Sequence, residues 1–141
     1  MIRKGKAVWT GQIRDGKGTL TTESGVLSDA PYGFSSRFES GKGTNPEELI
    51  GAAHAGCFSM ALAKLLGDAG LTPDRIETEA AVTLEKAGEG FEIKSSHLTV
   101  TAAVPGIDTN RFLEFANQAK AGCPVSKLMN ATITMDAQLG G

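Results

Sequence analysis

The stretch Leu49-Ile50-Gly51-Ala52-Ala53-His54-Ala55-Gly56-Cys57-Phe58-Ser59-Met60-Ala61-Leu62 limits what this chain can fold into more than any other. It contains no proline and is apolar on nearly every face, so it reads as a helix that needs cover all round and lies in the middle of a structure. The residues ahead of it supply a start. Thr44 with Glu47 three positions on fits a capping box, and Pro46 fits an early helical position. Gly70 is a natural stop. The pattern predicts a helix from Thr44 to about Ala69, and its many glycines and alanines predict close approach of another backbone.

The rest of the chain reads as strands around that helix. Ala7, Trp9 and Ile13 are apolar among polar neighbours, Arg14-Asp15-Gly16-Lys17-Gly18 is a turn signal, and Thr19–Glu23 returns as a hairpin. Tyr32–Phe38 reads as a third strand, with Phe34 and Phe38 on one side. Ile76, Thr78, Ala80, Val82 and Leu84 alternate with mostly polar residues as a half-exposed strand. After a turn at Gly88-Glu89-Gly90, Phe91 and Ile93 start another strand. Leu98, Val100, Ala102 and Val104 continue it on the opposite parity, which predicts a bulge near Ser95-Ser96. Asp108 or Thr109 caps a second helix to about Ala121, with Phe112, Phe115, Ala116 and Ala119 on one face. A short helix over Val125–Met129 and a last alternating strand through Ile133, Met135, Ala137 and Leu139 complete an α+β chain. At 141 residues it is expected to form one domain, 1–141.

Composition removes several classes of function. The formal net charge is −2 and the aromatic content 6%, and no basic run exceeds Arg3, Lys4 and Lys6, so no nucleic-acid partner is expected. The N-terminus shows no export signal and the apolar stretch carries His54 and Lys64, so neither secretion nor a membrane span is expected, and the location expected is cytoplasmic. No phosphate-binding loop, dinucleotide fingerprint or Gly-x-Ser-x-Gly elbow occurs. Asp74, Glu77, Glu79 and Glu85 read as solvated charge.

The two cysteines carry the remaining chemistry. In a reducing compartment a structural disulfide is disfavoured, which leaves inert buried thiols or a transient catalytic pair. Cys57 lies mid-helix, where burial raises a thiol pKa, so reactivity there requires a nearby cation. Cys123 precedes Pro124 at a helix start, where free N–H groups favour negative charge. His54 shares a helix face with Cys57, and with Cys123 and His97 it offers a conceivable metal set, although neither Cys-x-x-Cys nor His-x-x-x-His is present. No metal or bound cofactor is expected.

The run Gly43-Thr44-Asn45-Pro46-Glu47-Glu48-Leu49-Ile50-Gly51-Ala52-Ala53-His54-Ala55-Gly56-Cys57-Phe58 resembles the signature of the OsmC/Ohr family, the osmotically inducible and organic hydroperoxide resistance proteins. Ala121-Gly122-Cys123-Pro124-Val125-Ser126 resembles that family's second cysteine motif. Glu23–Leu27, Pro31–Phe34 and Arg37-Phe38-Glu39 are more similar to the OsmC branch than to the Ohr branch. The resemblance covers essentially the whole chain. It implies an intertwined α+β homodimer, with antiparallel sheets around two long central helices and active sites at the subunit interface. It implies a peroxidase that reduces organic hydroperoxides, and hydrogen peroxide more weakly. Cys57 matches the attacking cysteine and Cys123 the resolving one, and Arg37 and Glu47 match the pair that assists the thiolate. The implied reductant is an external dithiol of lipoyl type. Apolar walls from Phe58, Met60, Leu62, Tyr32 or Phe34 are the expected basis for preferring organic peroxides.

Two questions stay open at the level of sequence. Glu47 and Cys57 are separated by about 15 Å of helical rise and about 80° of rotation, so a shared site requires a helix break at Gly51 or Gly56, or a partner subunit that supplies Arg37 and Glu47. The partner is the expected solution. The same two cysteines also fit a redox sensor or carrier, which oxidises without turnover.

Overall fold

The computed structural model describes residues 1–140. The chain divides into two compact units, Met1–Leu49 and Ile50–Gly141.

In the first unit, β1 (Gly5–Thr10) pairs antiparallel with β2 (Lys17–Thr22), which pairs with β3 (Ala30–Tyr32). The hairpin expected from the turn signal is present, closing at Thr10 opposite Lys17, but Ile13 lies in its loop and is exposed. The strand expected over Tyr32–Phe38 ends at Tyr32. Phe34–Phe38 is instead a short helix, α1. Its first turn is fixed by Ser36, whose hydroxyl accepts the Gly33 N–H at 2.9 Å and donates to the Thr44 carbonyl at 2.8 Å. Phe34 and Phe38 still share one side, with ring centroids 5.0 Å apart.

Helix α2 (Pro46–Asp68) starts in the first unit and continues unbroken through the second. Its cap differs from the expected box. Asn45 Oδ1 accepts the Glu48 N–H at 2.8 Å, and Thr44 donates to the Glu48 carboxylate at 2.7 Å. Pro46 at the first helical position makes Asn45 the cap, which releases Glu47 from capping. Gly70 ends the helix with φ +77°, a left-handed conformation that glycine adopts without strain.

In the second unit, β4 (Arg75–Ala87), β5 (Gly90–Ala103) and β6 (Thr132–Leu139) form a sheet in that order. Pairing of β4 with β5 skips Lys94, since Thr83 faces Ser95 and Leu84 faces Ile93. This is the expected bulge, one residue early, and it turns Ser96, Leu98, Val100 and Ala102 to the core. The sheet is not wholly antiparallel as expected: β6 runs parallel to β5. The chain between them crosses over through α3 (Thr109–Gly122) and α4 (Pro124–Leu128), as a parallel pair requires. Asp108 caps α3 by accepting the Arg111 N–H at 2.8 Å.

Only one stripe of α2 is buried within this chain, which corrects the expectation of a helix covered all round. Gly51, His54, Phe58, Leu62 and Leu66 face inward at helical spacing and meet Leu98, Val100, Phe112 and Ala116. The expected close approach occurs at Gly51, where a Cβ would stand 2.9 Å from the Ala80 carbonyl oxygen of β4. Ala52, Ala53, Gly56 and Met60 face outward, Met60 at 77% exposure. By length and composition alone α2 is long and apolar enough to cross a membrane. Its central His54, however, is tied by hydrogen bonds to Ser96 of β5 and Ser126 of α4, the pairing of a core helix.

Candidate active site

Cys123 is the N-cap of α4, with Pro124 at the first helical position. A short helix has no internal acceptors for its first N–H groups, and two successive ones here point at sulfur. The Ser126 N–H reaches Cys123 Sγ at 3.4 Å, and the Val125 N–H reaches Cys57 Sγ at 3.5 Å. The two cysteines, 66 positions apart in the chain, therefore meet on one helical turn. Both are free thiols; Cys123 is fully buried and Cys57 partly exposed.

Burial pushes the Cys57 thiol above its ordinary value; the Val125 N–H opposes this, and the neighbouring Cys123 thiol adds to the rise. Among the described residues of the second unit, that N–H is the one influence favouring the thiolate. Cys57 opens on an apolar groove of about 530 Å³, walled by Met60, Ala61, Leu65, Ala119 and Pro124, with Lys64 at its edge. Of the expected walls Met60 is present. Phe58 and Leu62 are not, because both are fully buried in the core behind the helix.

His54 is also fully buried. Its ring nitrogens are both engaged, Nδ1 by Ser96 Oγ at 2.7 Å and Nε2 by Ser126 Oγ at 2.8 Å. Ser126 Oγ in turn lies 3.0 Å from Cys123 Sγ. His97 sits on the opposite face of β5, bonded to Thr134 and Asp136 of β6. The conceivable metal set is thus not assembled: His54 has no ring nitrogen to spare, and among the described residues no three metal-ligating side chains gather. The serines were missed at the level of sequence. The signal was available for Ser126, a hydroxyl three residues after a capping position ahead of Pro124.

Burial lowers the pKa of His54 below 6.5. A neutral histidine that must charge opposes the folded state in acid. The stability it contributes is therefore complete above pH about 6.5 and is lost as pH falls from there through the lowered folded value. Urea titrations over that range should show stability falling toward acid, and His54→Gln should remove that part of the slope.

In the first unit, Arg37 of α1 and Glu47 of α2 form an ion pair. A single carboxylate oxygen receives the guanidinium. Arg37 Nε and Nη2 both donate to Glu47 Oε1, at 3.1 and 2.8 Å, leaving the buried Oε2 without a hydrogen-bond partner among the described residues. Glu47 is 8% exposed, so Arg37 is the partner that offsets the burial of its carboxyl group. The guanidinium also lies 5.3 Å from the centre of the Phe38 ring. It edges a cavity of about 230 Å³ walled by Trp9, Tyr32, Phe34 and Phe38.

Residues 39–138 match the family model described as OsmC-like protein. The chain is 58% identical over 137 residues to "Peroxiredoxin OsmC" of Escherichia coli (strain K12), covering 97% of this chain and 96% of that one. It is 28% identical to "Organic hydroperoxide resistance protein OhrB" of Bacillus subtilis (strain 168), covering 94% and 98%. The crystal structure of Bacillus subtilis OhrB superposes with a TM-score of 0.72 over 97% of this chain and 98% of that one. An OsmC-like protein from Mycoplasma pneumoniae, 13% identical, superposes with a TM-score of 0.77 over 100% and 99%, a likeness of fold alone.

Proposed function

This chain belongs to the OsmC family and is a thiol peroxidase, and from that premise we propose that it reduces organic hydroperoxides to alcohols with Cys57 as nucleophile and Cys123 as resolving thiol. The observation that carries the reading is the meeting of the two sulfurs on the first turn of α4, one at the mouth of an apolar groove and the other buried behind it. The Cys57 thiolate attacks the outer peroxide oxygen. The O–O bond breaks, the inner oxygen takes a proton and leaves as the alcohol, and Cys57 becomes a sulfenic acid. Cys123 then forms the S–S bond and water departs. An external dithiol, lipoyl-type in this reading, returns both thiols. No bound cofactor takes part.

Arg37 and Glu47 complete the reading. Cys57 needs a cation to offset burial. The Arg37 guanidinium, oriented by Glu47, is the group proposed to hold the thiolate and polarise the peroxide. Glu47 stands ten residues before Cys57 on an unbroken helix, which favours supply of the pair by a second copy of the chain. The exposed apolar side of α2, with Ala52, Ala53, Gly56 and Met60, favours the same homodimer. Preference for organic peroxides follows from the apolar groove at Cys57 and the aromatic cavity beside Arg37.

The test is single-turnover oxidation by cumene hydroperoxide and by hydrogen peroxide, followed by thiol counting. Both thiols should disappear, faster with the organic peroxide by about tenfold or more, the worth of a buried apolar group of modest size. Equal, slow loss with both peroxides would remove the substrate assignment. Stoichiometric oxidation that no dithiol reverses into turnover would favour the redox sensor.

A further inference from the structure

Cys123 is fully buried, so the proton it must lose before attacking oxidised Cys57 has no direct path to water. It needs an acceptor inside the protein, and one is in place. The line runs from Cys123 Sγ to Ser126 Oγ at 3.0 Å, to His54 Nε2 at 2.8 Å, and from His54 Nδ1 to Ser96 Oγ at 2.7 Å. Cys123, His54 and Ser96 are 0% exposed and Ser126 is 7% exposed.

One direction of donation serves the thiol state. Cys123 S–H donates to Ser126 Oγ, Ser126 O–H donates to the neutral ring at Nε2, and Nδ1–H donates to Ser96 Oγ. Transfer of one proton along the line reverses the first two bonds. Nε2–H then donates to Ser126 Oγ, and the Ser126 hydroxyl donates to a Cys123 thiolate that also accepts the Ser126 N–H at 3.4 Å. Every group keeps a partner in both states. A histidine that only filled the core would need two partners, and a serine on each side supplies them; nothing in that role requires one serine to end on a thiol.

We propose that His54, acting through Ser126, is the base that ionises Cys123 for its attack on oxidised Cys57, with Ser96 holding the ring in the tautomer that accepts. This rests on Cys123 being the resolving thiol. The step balances in atoms and charge. The Cys123 proton passes by way of Ser126 to His54, and the thiolate forms the S–S bond as the S–O bond of the Cys57 sulfenic acid breaks. The departing hydroxide takes the proton back through Ser126 and leaves as water. Ser126 touches the reacting sulfur of Cys123, His54 acts through Ser126, and neither touches the peroxide.

The titratable groups facing this line are few. Cys57 stands one helical turn from His54 on α2, and Cys123 lies at the end of α3 and start of α4. From the sheet, β5 presents Ser96, while His97 is turned to the other face. Burial alone lowers the pKa of His54, leaving the ring neutral and able to accept at neutral pH.

The experiment uses the aromatic disulfide dithiobis(nitrobenzoate) on the full chain, so it needs no peroxide. Cys57, the partly exposed thiol, takes up the reagent and releases one coloured thiolate; attack by Cys123 then releases a second. The expected second release is fast and level with pH across the neutral range. In Ser126→Ala it should slow on the order of a hundredfold and climb with hydroxide concentration, because hydroxide must then take the proton. Ser126→Thr, which keeps a hydroxyl, should restore both the rate and the level profile. His54→Gln, which keeps hydrogen-bonding capacity without a base, should behave like Ser126→Ala and serves if that variant does not fold. An unchanged second release and pH profile in the folded variant would overturn the proposal, as would release of only one equivalent from the unmodified protein. Failure of hydroperoxide to oxidise Cys57 would instead defeat the peroxidase mechanism while leaving this measurement intact.

Discussion

Replacing Cys57 by serine is expected to reduce hydroperoxide turnover by about a thousandfold or more, to the uncatalysed background, as loss of a nucleophile does when the remaining groups cannot act without it. The reason is specific to sulfur. A serine hydroxyl at this point is as buried as the thiol but ionises far less readily, and it cannot carry oxygen as a sulfenic acid. The Val125 N–H, which favours a charged Cys57, is far too weak to ionise an alcohol. Coupled peroxide-consumption assays with an excess of dithiol provide the measurement. Folding should be little changed, because Cys57 is only partly buried and the substitution is close to isosteric. Substantial residual turnover in Cys57→Ser would mean that Cys123 or another group is the nucleophile.

The second large effect is expected from Arg37→Met. The loss should be about 10²–10³-fold in the rate of Cys57 oxidation, the usual consequence of deleting one preorganised charge donor. The pH profile should change as well. With the guanidinium gone, burial dominates at Cys57, and the rate should climb with pH through and beyond the ordinary thiol range instead of levelling below it. Arg37→Met also strands Glu47, which is 8% exposed and would be left as an unpaired buried carboxylate. The double variant Arg37→Met/Glu47→Gln removes that charge and separates the catalytic loss from a folding defect. If oxidation in the folded double variant matches the unmodified protein in rate and pH profile, the Arg37–Glu47 pair is structural and the thiolate is held by another group.

Legibility in the sequence follows from how far apart the interacting residues lie. The long helix is readable because its start, its stop and its unbroken apolar run are local. The bulge in β5 is readable because one extra residue is what moves the inward-facing parity between Ile93 and Leu98 within a single strand. The segment Phe34–Phe38 misleads for an identifiable reason. Residues four apart share a side both in a strand of period two and in a helix of period 3.6, so the two phenylalanines cannot discriminate. What decides the matter is Ser36, whose hydroxyl bonds to Gly33 and to Thr44 across the intervening chain. The cap falls one residue later than expected because Thr44 and Asn45 are both good caps, and only the folded geometry shows which of them the Glu48 N–H meets.

Legible in the chain alone are the α+β class, the central helix, the motifs of the family and the two cysteines proposed to carry its chemistry. These depend on local propensity, periodicity and residue type. Whatever requires distant residues to meet was set by the completed fold. It ran β6 parallel to β5, since strand pairing depends on where a crossover delivers the chain and not on the strand's own residues. It buried Phe58 and Leu62 but left Met60 at the groove, because helical phase acquires a meaning only once the sheet covers one side. It also brought together Cys57 and His54 of α2, Ser96 of β5, and Cys123 and Ser126 at the start of α4; apart from the local Cys123–Ser126 contact, these links are non-local hydrogen bonds that only the completed core imposes.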